Sequence, residues 1–342
     1  MKAILIAKFV ETVKEVKISE VPTPEPKDDE VLIRIAAAGV NFVDLLYARG
    51  KHQNNRSLIT PPFILGLEFA GTVISSPCIS GTPSSPSLKV GTRVFGGSLG
   101  SYASHITCKP SSLLHIPEKW TFTQAASLAA TAPVSYGALI LRGRLQKGET
   151  VLIHAAAGGL GLMAVQIAKA VGARVIATAS TTQKLEVARG FGADKCVDYS
   201  DEGWVEEVLR LSEGKGVHVV FDPVGLVGQS LNCLRQRGRI LVVGFVGREG
   251  DLESVAMNRV LLRQAQIIGY RYGETDRIDP AETARIWQEL KALWESGKLK
   301  PSVYEKEYRG LESVVHAMKD LESRKVWGKA VIVMEHEDRP KL

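Results

Sequence analysis

The sequence predicts an α/β protein in which a doubly wound parallel sheet is inserted into a β-rich domain. Three observations lead to this prediction: short β-type runs near the N terminus, strands alternating with helical segments from Thr123 onward, and strand-like runs that return near the C terminus. A chain of 342 residues allows about two domains at roughly 150 residues each. We therefore expect two domains, the second built into the first.

The first part of the chain consists of short strand-like runs separated by turn residues. These runs fall at residues 3–9, 30–37, 71–75, 93–95 and 102–107. Segment 75–87 interrupts them with six serines, three prolines and hardly any apolar side chains. We expect a β-rich unit that carries an exposed loop at 75–87.

The middle of the chain alternates between strands and helices. Strands are predicted at 151–155, 174–179, 195–199, 217–221, 239–245 and 265–270, and helices at 161–171 and 182–191. Strands separated by helices of about ten or more residues pair in parallel, which predicts the doubly wound sheet. After Pro280 a helix is predicted at 281–296, followed by strands at 304–308 and 330–334 that look like the first part of the chain again.

A glycine-rich turn follows the first strand of this middle region and opens its first helix. It reads AAGGLG, an AxGxxG form of the dinucleotide fingerprint, in which Ala156, Gly158, Gly159, Leu160 and Gly161 are the expected ligand residues. Small residues are needed because a Cβ would keep the backbone away from a pyrophosphate, whose charge is stabilised at the helix N-terminus. A merely tight turn is the alternative, but the flanking strand and helix favour a Rossmann nucleotide-binding domain.

The choice of cofactor follows from an absent acidic residue. An NAD site places Asp or Glu about 20 residues beyond the glycines, to hold the ribose 2′-hydroxyl. No acidic residue occurs from Leu162 to Leu185, and Ser180 and Lys184 instead provide a hydroxyl and a cation suited to a 2′-phosphate. The sequence therefore predicts NADPH as the cofactor. In the alternative, Ser180 only caps the next helix and Lys184 is solvated.

Composition excludes several other classes of protein. The formal net charge of +6 is spread along the chain without a long basic run, so nucleic-acid binding is not expected. No two of the four cysteines form a CxxC pair, and no disulfide framework is expected. Without a signal or membrane segment, we expect a soluble, cytoplasmic protein. The terminal residues Pro340, Lys341 and Leu342 resemble a peroxisomal SKL address but depart from it at proline.

Taken together, these motifs resemble the zinc-free quinone oxidoreductase branch of the medium-chain dehydrogenases/reductases, the group that contains ζ-crystallin. The resemblance extends over nearly the whole chain. Its blocks are 39–44 (GVNFVD), 62–71 (PFILGLEFAG), 90–94 (VGTRV), 100–103 (GSYA), the turn at 155–161 and 327–329 (WGK). It implies a GroES-like catalytic domain from residues 1–123 plus 271–342 and a Rossmann NADP-binding domain at 124–270.

The resemblance also implies that no zinc site forms. A catalytic zinc needs three Cys, His or carboxylate ligands and an open position. Asn41 stands where the zinc alcohol dehydrogenases have their first cysteine, and Leu67 replaces the histidine before Glu68. The oxygen that gains charge during hydride transfer must then be stabilised by hydrogen-bond donors.

The activity implied by the family is NADPH-dependent hydride transfer to a quinone or an α,β-unsaturated carbonyl. The candidate catalytic residues are Asn41, Tyr47 and His52. By resemblance Asn41 lines the cleft beside the nicotinamide, although an Asn holding a loop is the alternative. Leu46 and His52 occupy positions where bacterial relatives carry tyrosines, so Tyr47 is the nearest phenol and His52 is either a replacement donor or a solvated side chain.

Further cofactor contacts are implied by the family or by their position at strand ends. They are Thr131, Tyr199, Val224, Gly225, Gly244, Phe245 and Arg324. Two other functions stay open: an NADPH-binding structural or regulatory protein with little turnover, and an enoyl-thioester reductase. Relatives pair their Rossmann sheets edge to edge, so we expect a homodimer through the strand near 265–269, with a covered edge in a monomer as the alternative.

Overall fold

The computed structural model describes residues 1–76, 88–247 and 253–335. It contains two compact units, one from residues 1–130 together with the chain from 303 onward, the other from residues 131–302. Residues 77–87 of the predicted loop and the terminal tripeptide 340–342 lie outside the described residues. No helix of the described part is long and apolar enough to span a membrane.

The N-terminal part of the first unit is built mainly of strands. Up to residue 130 the elements are β1 (Lys2–Ile6), β2 (Ile18–Glu20), β3 (Val31–Gly39), α1 (Phe42–Ala48), β4 (Phe63–Ile64), β5 (Glu68–Ser75), β6 (Arg93–Gly97), β7 (His105–Cys108), β8 (Leu113–His115) and α2 (Phe122–Ala125). Short 3-10 turns lie at Val13–Glu15, Gln53–Arg56 and Pro110–Ser112. Strands β2, β1 and β4 form a small antiparallel sheet, and β3 pairs with β5 and β7 in a larger one.

The second unit alternates helices and strands as the sequence predicts. Its elements are α3 (Ala132–Tyr136), a π-helical segment Gly137–Arg142, β9 (Thr150–Ile153), α4 (Gly159–Val171), β10 (Arg174–Ala179), α5 (Thr182–Gly190), β11 (Lys195–Asp198), α6 (Trp204–Leu211), β12 (Val217–Asp222), α7 (Val227–Cys233), β13 (Leu234–Val242), α8 (Met257–Arg263), β14 (Gln266–Gly269), α9 (Tyr272–Ile278) and α10 (Pro280–Glu295). Helix α4 begins at Gly159 rather than at residue 161, because helical bonding already starts with Leu162 N donating to Gly158 O.

The sheet of the second unit is the predicted doubly wound sheet. Within the described residues its strand order is β11-β10-β9-β12-β13-β14, and every neighbouring pair is parallel. Strand β9 lies at the centre, and all four of its residues are buried, as expected for a strand covered on both faces. The strand order reverses between β9 and β12, which is where open α/β sheets bind ligands.

The chain then returns to the first unit. Beyond residue 302 it forms β15 (Tyr308–Arg309), a 3-10 turn Leu311–Ser313, α11 (Val314–Glu322) and β16 (Val331–Val333). Strand β16 pairs antiparallel with β3, with Val331 opposite Gly39, and Val40 N donates to Ala330 O at 2.9 Å. This pairing brings the C-terminal part of the chain against the start of α1.

The unit boundaries differ from the predicted ones. Residues 271–302 were predicted with the first domain, but α10 packs against α3 and α9 of the second unit and buries Ile286 and Leu290 there. Residues 124–130 lie in the first unit instead, where Ala130 N donates to the Glu68 carboxylate at 2.8 Å. Both differences arise from long-range packing, which local sequence pattern does not report.

Candidate functional site

The predicted nucleotide turn lies between the end of β9 and the start of α4. Gly158 precedes the helix in an extended conformation as its N-cap. A Cβ on Gly161 would lie 2.4 Å from Ala155 O and 2.5 Å from Ala156 Cα, so only glycine fits there without moving the backbone. The turn therefore combines close backbone packing with a partly exposed helix N-terminus, two features that suit a bound pyrophosphate.

The carboxyl ends of the first three strands meet beside this turn. Ala156 N donates to Thr178 O at 2.9 Å, which links the turn to the end of β10. Tyr199 N donates to Ala179 O at 3.2 Å, which links the end of β11 to β10 in the same way. Ala156 and Tyr199, both predicted cofactor residues, thus lie at the carboxyl end of the sheet, where ligands of this fold bind.

Asp222 orders the loop that follows β12. Its buried carboxylate accepts backbone N–H bonds from Val224 at 2.7 Å, Gly225 at 2.9 Å and Leu226 at 2.7 Å. Charge-assisted bonds of this kind are strong, so the loop is held in one conformation. The predicted cofactor residues Val224 and Gly225 are therefore fixed by Asp222, which the sequence analysis did not include in the site.

The loop after β13 lies against the loop after β12. Val246 N donates to Pro223 O at 3.1 Å, and a Cβ on Gly244 would lie 3.0 Å from the same oxygen. A side chain at position 244 would make the two loops move apart slightly, so glycine favours their close approach. Phe245 is 52% exposed, so its ring is available to a ligand rather than part of the core.

The predicted 2′-phosphate residues lie where β10 gives way to α5. Thr181, not Ser180, caps that helix, because its side chain accepts the backbone N–H of Lys184 at 3.3 Å. The Ser180 hydroxyl is therefore not the helix cap. Ser180, Lys184 and Tyr199 are all partly exposed at this end of the sheet.

A buried histidine at the end of β9 connects the strands beneath the turn. The two ring nitrogens of His154 lie 2.9 Å from the hydroxyls of Thr178 and Ser230, and its ring packs edge-on against Trp204 at 5.3 Å. Burial lowers the pKa of His154 to about 4, and the charge of Asp222 opposes that shift. His154 is therefore neutral at physiological pH.

In the first unit, Asn41 is the N-terminal cap of α1 and part of a closed polar triangle. Its Nδ2 donates to Glu68 Oε1 at 3.0 Å, and its Oδ1 accepts from Lys329 Nζ at 2.6 Å. Lys329 Nζ also lies 2.8 Å from Glu68 Oε1. The exposures of 8%, 0% and 4% for Asn41, Glu68 and Lys329 show that this triangle is withdrawn from water.

A second buried carboxylate lies next to that triangle. Asp44 Oδ2 accepts from the backbone N of Asn41 at 2.8 Å and from the Tyr102 hydroxyl at 2.6 Å. Asp44 Oδ1 is buried without a hydrogen-bond partner in the structure. Desolvation raises the pKa of Asp44 to about 7, although the Tyr102 and Asn41 bonds act in the opposite direction.

Tyr47 and His52 lie together at the other end of α1. Their ring centroids are 4.5 Å apart, and the Tyr47 hydroxyl accepts from Asn54 Nδ2 at 2.9 Å. His52 Nδ1 accepts the backbone N–H of Asn54 at 3.1 Å, so it caps the following 3-10 turn. Tyr47 is buried in the core of the unit and His52 is partly exposed.

Two more predicted cofactor residues lie at the start of α3 and on the turn after α11. Thr131 is buried in the second unit at the start of α3. Arg324 is exposed in the first unit on the turn after α11, with a left-handed φ of 57°.

Some residues of the candidate site were outside the sequence prediction. They are Asp44, Glu68, Tyr102, His154, Asp222 and Lys329. Lys329 did stand in the WGK block, but its role depends on the pairing of β16 with β3. The signal for His154 was a lone histidine inside an apolar strand, and its partners lie far along the chain.

In the first unit, the ammonium of Lys329 lies beside Asn41, one of the positions that bind zinc in the zinc alcohol dehydrogenases. Among residues 1–76, 88–247 and 253–335 no group of three or more His, Cys, Asp and Glu side chains is suited to a metal ion. The ammonium of Lys329 lies within 2.8 Å of both Asn41 and Glu68. A positive charge held there opposes binding of a second cation to the same oxygens.

Comparison with known proteins shows similarity over nearly the whole chain. The family model described as the alcohol dehydrogenase GroES-like domain matches residues 27–118, and the model described as zinc-binding dehydrogenase matches residues 159–291. Quinone oxidoreductase-like protein 2 of Bos taurus is 34% identical over 327 residues, covering 93% of this chain and 89% of that protein.

Solved structures show the same relationship. Escherichia coli quinone oxidoreductase complexed with NADPH is 29% identical, with a TM-score of 0.85 over 97% of this chain and 100% of that chain. The CurK enoyl reductase is 26% identical, also with a TM-score of 0.85, over 98% of this chain and 99% of that chain. The predicted fold class, a Rossmann sheet inserted into a GroES-like domain, is confirmed.

Proposed function

The chain belongs to the quinone oxidoreductase-like enzymes of the medium-chain dehydrogenase/reductase family, and we propose that it is an NADPH-dependent reductase of quinones or α,β-unsaturated carbonyls that works without zinc. The main support for this proposal is the glycine turn of the second unit, where a Cβ on Gly161 would lie 2.4 Å from Ala155 O. This packing is the mark of a dinucleotide site.

The second unit provides the groups that would hold NADPH. When bound, NADPH supplies the hydride. The backbone N–H groups at the start of α4 suit the pyrophosphate, and Ser180 and Lys184 suit the 2′-phosphate. NADPH is also the ligand of the E. coli quinone oxidoreductase structure, which supports this choice.

The first unit provides a donor for the substrate oxygen. An Asn amide has two Nδ2 hydrogens, and Asn41 donates one of them in a hydrogen bond to Glu68. We assign the other to the oxygen that gains negative charge when hydride arrives. A buried donor of this kind stabilises an oxyanion more strongly than one in water. Tyr47 and His52 remain the candidates for delivering a proton.

The proposal is tested by following NADPH oxidation at 340 nm. The acceptors are 9,10-phenanthrenequinone, 1,4-benzoquinone, a 2-alkenal and crotonyl-CoA, with NADH as the control cofactor. We expect turnover of at least one acceptor with NADPH and much slower turnover with NADH. Tight NADPH binding without turnover of any acceptor would contradict the reductase and favour a protein that only binds the cofactor.

Variants of the same assay test the donor. Asn41→Ala is expected to lower kcat by on the order of a hundredfold, the usual cost of removing one oxyanion donor. The exposed Asn232→Ala on α7 is the matched control and should leave kcat unchanged. An Asn41→Ala variant as fast as the wild type would remove Asn41 from the mechanism.

Zinc independence rests on Asn41 and Leu67 at two family ligand positions, and on the Lys329 charge beside Asn41. After dialysis against EDTA, elemental analysis is expected to find less than about one tenth of a zinc per chain, and kcat is expected to be unchanged, since the described residues provide no ligand set of three. Loss of activity on dialysis, restored by added zinc, would contradict this part of the proposal.

An enoyl reductase is the second candidate. The similarity to the CurK enoyl reductase over 98% of this chain favours it. The two candidates share the same donor chemistry, because hydride addition to an enone or enoyl thioester also places charge on a carbonyl oxygen. A higher kcat/KM for crotonyl-CoA than for either quinone would select the enoyl reductase.

The homodimer also remains part of the proposal. Strand β14 pairs with β13 on one side, and within the described residues its other edge has no strand partner. Ile267 on that edge and Met257, Leu261 and Leu262 on α8 are exposed apolar side chains. Burial of such a patch against a second copy is favourable. Light scattering is expected to give a dimer mass for the wild type and a monomer mass for Ile267→Lys.

A further inference from the structure

Lys329 is an unusual residue because its ammonium is buried inside a small protein unit. It is 4% exposed, and burying a lysine charge is costly unless the charge is paired and hydrogen-bonded. Here Glu68 provides the counter-charge at 2.8 Å, and Asn41 Oδ1 provides a second acceptor at 2.6 Å. Lys329 therefore uses two of its three N–H donors, one to Asn41, which we propose as the oxyanion donor, and one to Glu68.

These contacts define which way round the Asn41 amide lies. Its oxygen faces the ammonium of Lys329 and its nitrogen faces the carboxylate of Glu68. Rotating the amide by half a turn would place NH2 against a cation and oxygen against an anion, and both contacts would become repulsive. The amide is thus held with a hydrogen of Nδ2 available to a ligand, rather than a lone pair.

The charge of Lys329 also changes the strength of that donor. A cation at the carbonyl oxygen draws electron density through the amide and makes the Nδ2 hydrogens more positive. Such polarisation along a hydrogen-bonded chain is greatest where water is excluded, as it is at these three residues.

We propose that Lys329 is a positioning residue for hydride transfer, which holds and polarises the Asn41 amide so that it donates to the substrate oxygen. Glu68 accepts a hydrogen bond from the Asn41 amide nitrogen and neutralises the charge of the Lys329 ammonium. The inference rests on the proposed function, in which Asn41 is the donor. The competing explanation is that the ion pair only stabilises the fold, since Glu68 Oε2 also accepts Ala130 N at 2.8 Å.

A double-mutant cycle separates the two explanations. Lys329→Gln, Asn41→Ala and their combination are compared with the wild type for kcat and for the Kd of NADPH. We expect Lys329→Gln to lower kcat by on the order of tenfold or more in the wild type, and by less than about twofold in the Asn41→Ala background, because a residue that acts through another loses its effect when that residue is absent. The Kd of NADPH should change far less than kcat throughout, because the groups assigned to the pyrophosphate and the 2′-phosphate lie in the second unit.

Three further variants test whether a loss of kcat in Lys329→Gln comes from the lost contact with Asn41 or from general damage to the fold. Because Lys329→Gln leaves Glu68 buried without its cation, the charge-neutral combination of Glu68→Gln with Lys329→Gln is measured beside it. Lys329→Arg keeps the charge and is expected to recover part of kcat. Lys109→Gln, which removes an exposed ion pair with Asp29 in the same unit, is the matched control and should leave kcat unchanged.

A readout that needs no turnover uses the side-chain amide of Asn41. In 15N spectra of the apo protein its signals are identified by their loss in Asn41→Ala, and their hydrogen exchange is expected to be slow in the wild type and fast in Lys329→Gln. Equal loss of kcat in both backgrounds, or unchanged amide exchange, would overturn the role of Lys329 alone. If Asn41→Ala turns over as fast as the wild type, the proposed donor role of Asn41 is itself wrong.

Discussion

His154 makes the second unit sensitive to acid. It is fully buried at the end of β9, between the hydroxyls of Thr178 and Ser230. Burial lowers its pKa from the ordinary value of 6.5 to about 4. The folded state therefore resists protonation of this imidazole, whereas the unfolded chain accepts the proton readily, so acid favours unfolding.

The size of the effect follows from the two pKa values. A group with a lowered folded pKa contributes stability that is complete above the unfolded pKa of 6.5 and is lost as the pH falls toward 4. Between pH 7.5 and pH 5 this linkage amounts to about 2 kcal/mol of unfolding free energy. A loss of this size is a large fraction of the stability of an ordinary domain.

The assay compares urea unfolding of the wild type and His154→Gln at pH 7.5 and pH 5. Glutamine is polar and of similar reach but does not titrate, so its variant should lose about 2 kcal/mol less than the wild type over this range. Tryptophan fluorescence is a suitable probe, because Trp204 packs against the His154 ring. His316→Gln, at an exposed position, is the control. Identical pH dependence in the wild type and His154→Gln would refute the reasoning.

Three more changes have definite expected outcomes. Asp44→Asn should remove a loss of stability of about 3 kcal/mol that the wild type suffers between pH 4.5 and pH 8, because a raised carboxyl pKa favours folding only at low pH. Urea unfolding at these two pH values measures it, and the same change in unfolding free energy for both proteins would contradict it. Gly161→Ala should weaken NADPH binding by at least about tenfold in a fluorescence titration, whereas Gly190→Ala, where a Cβ meets nothing within 4 Å, should not. Ser180→Asp should raise the KM for NADPH and lower that for NADH, because a carboxylate repels the 2′-phosphate and accepts from the 2′-hydroxyl; unchanged KM values would place the 2′-phosphate elsewhere.

The sequence was informative wherever a few neighbouring residues decide the structure. The turn at 156–161 could be predicted because strand, glycines and helix are consecutive and each has its own local pattern. The parallel sheet followed from the same alternation. At Ser180 the local pattern left two roles open, a 2′-phosphate contact and a helix cap, and the structure assigns the cap to Thr181 instead.

Contacts between distant residues could not be predicted in the same way. Lys329 reaches Asn41 across 288 residues, because β16 pairs with β3 and sets the register at Gly39. A lysine between two strand-like runs is most often a solvated residue, so the WGK block marked Lys329 as part of a family motif without indicating that its side chain is buried. Likewise, the resemblance identified Asn41 as a site residue but not Glu68, and it could not show that one cation joins them.

The arrangement around Asn41 also bears on the kind of acceptor that this chain can reduce. In a zinc alcohol dehydrogenase the cation is bound directly to the substrate oxygen, which suits a localised alkoxide. Here the cation that contacts Asn41, Lys329, lies on the oxygen side of the amide, so in the proposed mechanism its charge acts on a ligand through the amide N–H. That stabilisation is weaker than direct coordination and is sufficient chiefly for oxyanions that delocalise their own charge. A quinone gives a phenolate-like anion and an enone gives an enolate, whereas a simple ketone gives an alkoxide. With Asn41 as the proposed donor, this geometry favours conjugated acceptors over simple ketones.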